Sequence, residues 1–190
     1  MAGDKSTLRK QAMQQRRLLT QTERARHSAL ICQALINHFA WAELSCVHVY
    51  IPWLDRMEVN IWPFLNYLFA HQSHITVLTS RLHQEQLDCL VIDAQTKYIL
   101  NRFGIAEPDQ QAALVEPEKI ELMILPLLAC DQQGQRLGYG KGDYDRLLAR
   151  CRSNVKKIGV HYFAPIADTF PEAHDIPLTG LMTAEQYFAF

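Results

Sequence analysis

The sequence predicts an α/β fold in which helices cover a mostly parallel sheet. Three observations carry that expectation. Segments of strand-like composition alternate along the chain with segments of helical periodicity. Residues 121–129 contain the unbroken apolar run Leu122-Met123-Ile124-Leu125, the pattern of a strand buried on both faces. A glycine-rich loop follows that strand and precedes a helix, where open α/β sheets place their ligands.

Residues 5–19 read as a basic helix carrying Lys5, Arg9, Lys10, Arg16 and Arg17. A charge run of this kind is ordinarily a solvated face. The functional alternative is that Lys5 and Arg9, one turn apart, reach a single anion. Thr20 and Glu23 offer a capping box for a second helix reaching about Phe39. Val47, Val49 and Ile51 alternate in a β-rich segment over 46–52. Residues 63–71 look helical with Pro63 near the start, and 75–79 form a short strand. Residues 87–92 and 97–100 read as strand and linker. The stretch 105–117, rich in Glu, Pro, Asp and Gln, reads as a surface loop. After the central strand come a turn at Asp131-Gln132-Gln133-Gly134, the glycine loop, a helix through Leu147, Leu148 and Cys151, and a strand over 157–162. The tail, 171–190, shows little periodicity.

A chain of 190 residues suits one domain, and burying roughly 70% of the unfolded surface gives it a substantial core. Net charge is −1, so no global field draws nucleic acid or an anionic membrane. The five cysteines contain no C-x-x-C pair, which fits neither a disulfide framework nor a zinc pattern and points to the reducing cytoplasm. Residues 1–19 lack the apolar core of a signal peptide. No apolar run is long enough to span a membrane.

Gly134, Gly138, Gly140 and Gly142 lie within nine residues. Glycine lets a ligand approach the backbone, and successive amides before a helix can form an anion site; the bland alternative is a glycine-rich turn with no ligand. Lys141 adds a full charge. The loop is no Walker A, because Gly142 stands where Ser or Thr would follow the lysine. The dinucleotide fingerprint fails as well, since its third glycine would fall at Asp143. Asp145, at the start of the next helix, suits a cap or a Mg²⁺ ligand beside substrate phosphates. Asp175 suits a turn or a second such ligand. Glu58, a lone loop carboxylate, reads as surface. His48 and His161 read as structural residues. No G-x-S-x-G elbow is present.

Taken in order, these segments resemble the 5-formyltetrahydrofolate cyclo-ligase family. Lys5-Ser6-Thr7-Leu8-Arg9 is similar to its K-x-x-L-R, Glu58-Val59-Asn60 to its E-[IVL]-[DE]-T, and Phe103-Gly104-Ile105-Ala106-Glu107-Pro108 to its G-I-x-E-P. The most specific block runs from Pro126 through Asp131, Gly134, Arg136-Leu137-Gly138, Gly140 and Gly142 to Tyr144-Asp145-Arg146. Pro171, His174-Asp175-Ile176-Pro177-Leu178 and Met182-Thr183 complete it.

The resemblance implies a three-layer, Rossmann-like fold. It also implies the ATP- and Mg²⁺-dependent closure of 5-formyltetrahydrofolate to 5,10-methenyltetrahydrofolate, through phosphorylation of the formyl oxygen. By position, Lys5, Arg9, Arg136, Leu137, Gly138, Tyr139, Gly140, Lys141, Gly142, Asp143 and Tyr144 would bind ATP. Ile51 and Glu58, with Tyr139, Gly140, Lys141, Gly142 and Asp143, would contact the folate. Asp145 and Asp175 would hold Mg²⁺. The partners are small molecules only, and the protein is expected to be a cytoplasmic monomer. Two departures stand out: Asn60-Ile61 replaces an acid-threonine pair, and Asp143 replaces an aromatic residue. A sugar-phosphate isomerase of related fold and a non-catalytic folate or nucleotide sensor are the alternative readings.

Overall fold

The structure, a computed structural model, describes residues 4–102, 104–109 and 112–190. Two helices open the chain, α1 (Lys5–Leu18) and α2 (Gln21–His38). The Asp4 carboxylate caps α1 by accepting from the Thr7 amide at 2.8 Å. The predicted capping box forms at α2: Thr20 accepts from the Glu23 amide, and Glu23 accepts from the Thr20 amide. Strand β1 (Cys46–Val49) is joined to β2 (Thr76–His83) through α3 (Trp62–His71), with β3 (Gln86–Val91) next. Short strands β4 (Tyr98–Leu100), β5 (Ala106–Pro108) and β6 (Leu114–Val115) lead to the central strand β7 (Leu122–Pro126). A small hairpin, β8 (Ala129–Cys130) and β9 (Arg136–Leu137), precedes α4 (Asp143–Leu148). The chain closes with β10 (Lys156–Val160), β11 (Gly180–Met182) and β12 (Tyr187–Ala189).

Among the described residues the main sheet has the order β12-β11-β10-β7-β1-β2-β3-β6. Its centre, from β11 to β2, is parallel throughout, and the strands at both edges pair antiparallel. The chain moves outward from β1 to β2, then returns to lay β7 on the other side of β1. That reversal opens a crevice beyond the carboxyl ends of β1 and β7.

The sheet is covered on both faces. Ile31, Cys32 and Leu35 of α2 and Phe64, Leu65 and Leu68 of α3 pack on Val47, Val49, Leu122 and Ile124. Leu147 and Leu148 of α4 pack on the opposite face, against Cys46, Met123 and Leu125. Successive residues of β1 and β7 thus feed different cores, which is why Leu122 to Leu125 are all fully buried. No helix of the described residues is long and apolar enough to cross a membrane.

The structure corrects four local expectations. The 105–117 stretch is more than a surface loop, since β5 pairs with β4 and β6 adds the last strand beyond β3. Phe103, Gln110 and Gln111 lie outside the described residues. The tail contains β11 and β12, strands of three residues that are too short to show periodicity. Strand β2 extends to His83 because Gln84 and Glu85 take left-handed conformations (φ 45° and 66°) and turn the chain without glycine. Helix α4 stops at Leu148, where the Arg150 and Cys151 amides donate to the carbonyls three residues back in a tightened turn.

Candidate active site

A cavity of about 290 Å³ occupies the crevice beyond β1 and β7. Every residue singled out above for ATP, folate or metal lines it: Lys5, Arg9, Ile51, Glu58, the segment from Arg136 to Tyr144, Asp145 and Asp175. The fold therefore gathers positions from four separate parts of the chain.

One wall is the glycine loop. Its backbone needs glycine at two points, Gly140 (φ +95°) and Gly142 (φ +67°), where other residues would be strained. Gly140 also lies under a cation, because a Cβ there would come 3.0 Å from the Arg9 guanidinium carbon. Arg9 Nε donates to the Gly138 carbonyl at 3.0 Å. The loop and α1 thus present amides, Lys141 and Arg9 toward one side of the cavity.

A second wall carries Asp145 and Asp175, the two carboxylates that the resemblance implies for Mg²⁺. Lys5 Nζ lies 2.6 Å from Asp175 and 2.9 Å from Glu172, while Arg136 lies 2.9 Å from Asp145. Asp145 also accepts from the amide of Ile176, the residue after Asp175, which ties the start of α4 to the segment that carries Asp175. Burial pushes Asp175 up, but hydrogen bonds from Lys5 and the Glu172 amide outweigh it and leave the carboxyl below its ordinary value. Among the described residues no group of three or more His, Cys, Asp or Glu converges as a metal cluster. Two carboxylates beside a glycine loop are nevertheless compatible with the oxygen set that Mg²⁺ takes when substrate phosphates complete it.

The third wall surrounds Glu58. It is not a surface residue as the sequence suggested; it is 6% exposed, because the chain after β1 folds back into the crevice. Its carboxylate accepts from the Trp53 amide and from the Tyr139 hydroxyl, both at 2.8 Å. Burial raises the Glu58 carboxyl, against the opposing pull of those two donors and of Arg16. A third of the Tyr139 surface is exposed, its ring standing 6.0 Å from that of Trp53, while its hydroxyl reaches inward to Glu58 and Arg16. Burial holds the Tyr139 and Tyr144 phenols well above their usual pKa, so both are neutral, and Tyr139 donates to Glu58.

The histidines fit their structural reading. His48 bonds Ser80 at 2.6 Å and His161 bonds the Phe163 backbone, and burial pushes each down to about 3, leaving neutral rings.

A model of the 5-formyltetrahydrofolate cyclo-ligase family matches residues 1–184. The chain belongs to that family. It is 27% identical to the 5-formyltetrahydrofolate cyclo-ligase of Mycoplasma pneumoniae over 183 residues, which cover 96% of this chain and 99% of the relative. It is 35% identical to the cyclo-ligase of Escherichia coli K12 over 92 residues, 47% of this chain and 50% of that one. The solved structure of 5,10-methenyltetrahydrofolate synthetase from Aquifex aeolicus superposes with a TM-score of 0.84 at 28% identity, covering 97% of this chain and 92% of that one. A synthetase from Mycoplasma pneumoniae shares the fold with a TM-score of 0.72 at 24% identity, over 96% and 99% of the two chains.

Within this cyclo-ligase fold, both departures from the family pattern have local partners. Asn60 accepts from the Trp62 amide at the first turn of α3, as an aspartate there would. Asp143 pairs with Arg146, which also holds the Lys141 carbonyl, so its charge is directed along α4 and compensated. Sequence reasoning gave no role to Trp53, Asn101, Glu107 or Glu172, all of which line the cavity. Trp53 follows the carboxyl end of β1, a position that could have flagged it. Glu107 holds the Leu82 amide and the Asn101 side chain, contacts between segments that no local pattern reveals.

Proposed function

We propose that this chain is one catalytic domain, a cytoplasmic monomer that converts 5-formyltetrahydrofolate and ATP to 5,10-methenyltetrahydrofolate, ADP and phosphate. The observation that carries this reading is the cavity itself, with an amide- and cation-rich loop on one side and the buried Glu58 carboxylate on the other.

Lys5, Arg9, Lys141 and the loop amides orient the triphosphate and neutralise its charge, which is most of what phosphoryl transfer requires. Asp145 and Asp175 would hold Mg²⁺, which when bound screens the phosphate oxygens. Ile51 and Glu58 position the folate so that its formyl oxygen faces the γ-phosphate. The formyl oxygen is the nucleophile: its bond to phosphorus forms as the bond to ADP breaks. The folate N10 then attacks the activated carbon and loses its proton, and the carbon–oxygen bond breaks to release phosphate. No side-chain nucleophile is needed.

Incubation with 5-formyltetrahydrofolate and Mg-ATP, followed by near-ultraviolet absorbance of the methenyl product, tests this reading. ATP-dependent product is expected. ATP binding without any product would overturn it in favour of a sensor, and phosphosugar turnover without ATP would favour the isomerase.

A further inference from the structure

Arg16 belongs to the basic run that the sequence reads as a solvated face, yet it is 1% exposed. On α1, Lys5, Arg9, Ala12 and Arg16 follow an i, i+4, i+7, i+11 stripe, so they share one face. Lys5 and Arg9 reach the loop and acid walls; Arg16 reaches the Glu58 wall. Its Nη2 donates to the Leu127 carbonyl at 2.5 Å, just past β7. Its Nη1 donates to the Arg56 carbonyl and to the Tyr139 hydroxyl, both at 3.2 Å. Tyr139 in turn donates to Glu58. A guanidinium buried this fully would cost several kcal/mol without compensation, and its Nε has no partner among the described residues.

We propose that Arg16 is a positioning residue for the folate side of the reaction: it aims the Tyr139 hydroxyl at Glu58 and sets a positive charge behind that contact. This rests on reading Glu58 as a folate contact. The groups facing Glu58 support it. Tyr50 just past β1 and Tyr162 after β10 are buried, Tyr139 from the glycine loop and Tyr144 of α4 are partly so, all four are neutral phenols, and Arg16 is the cation that acts on the carboxylate. One rigid helix thereby sets both halves of the cavity.

The test compares Arg16→Met and Arg16→Lys with the parent protein. In the ligand-free proteins, the ¹³C side-chain carboxyl signal of Glu58, assigned through Glu58→Gln, reports its titration whether or not the protein turns over. In Arg16→Met the midpoint is expected to rise by about one pH unit or more, and Arg16→Lys restores most of it. In turnover, the KM for 5-formyltetrahydrofolate rises on the order of tenfold while that for ATP stays within about twofold. An unchanged Glu58 midpoint in Arg16→Met would overturn the proposal, as would equal increases in both KM values. If Arg16→Met does not fold, Arg16→Gln, which keeps an amide donor and loses the charge, carries the same comparison. An inactive parent with a shifted Glu58 midpoint would refute the assigned reaction and leave the role of Arg16 standing.

Discussion

Lys5 and Asp175 stand 170 positions apart and meet at 2.6 Å, closing one wall of the cavity with the two ends of the chain. Burial opposes the charge on Lys5, but its bonds to Asp175 and Glu172 raise its pKa overall, while that of Asp175 is lowered. The signs fix a window. A lowered carboxylate contributes stability above its unfolded pKa, and a raised lysine contributes below its own. The pair therefore stabilises between about pH 4 and 10. Lys5→Met should cost about 1–2 kcal/mol at pH 7 and much less at pH 3 in urea unfolding. It should also raise the KM for ATP on the order of tenfold.

Asp145 holds Arg136 and the Ile176 amide as well as facing the proposed phosphates. Asp145→Asn keeps an acceptor for the amide but loses the charge. Turnover at fixed Mg²⁺ should fall by about 100-fold or more, with far-ultraviolet circular dichroism unchanged. Direct Mg²⁺ titration of the ATP-bound protein should show weakened binding. Parent-like turnover and Mg²⁺ affinity would remove the metal role.

Asp143 and Arg146 form an ion pair one turn apart at the cavity mouth, with the arginine half exposed. Such pairs are worth about 0.3–0.5 kcal/mol. Asp143→Asn should therefore lower stability by no more than that, and less at high salt. Removing a negative charge beside the loop should lower the KM for ATP by about two- to fivefold. A rise in that KM would show that the pair shapes the loop instead.

Glu58 sits where burial disfavours its charged form, so a functional carboxylate there comes at a cost in stability. Its folded pKa is raised mainly by burial. A carboxyl raised on folding contributes stability below its unfolded pKa and loses it as pH climbs toward the folded value. Glu58→Gln should therefore match the parent near pH 4 and exceed it in urea midpoint at pH 7.5, while kcat/KM falls on the order of 10²–10³-fold. A variant less stable than the parent at pH 7.5 would contradict this.

Much of the fold was legible because it rests on local rules. The capping box at Thr20, the apolar run through β7 and the glycine loop each carry their physics in adjacent residues. The strands of two or three residues in 105–117 and in the tail were not legible, because pairing across the sheet rather than their own composition makes them strands. The glycine loop likewise announced an anion site by itself, and the order of motifs from Lys5 to Thr183 set the family. Only the tertiary structure decided which side chains left solvent. Glu58 and Arg16 look like any charged surface residues in the sequence, since burial depends on what the rest of the chain lays over them. Their pairing through Tyr139 joins α1, the turn after β1 and the loop after β9, three segments that meet only once the sheet has formed.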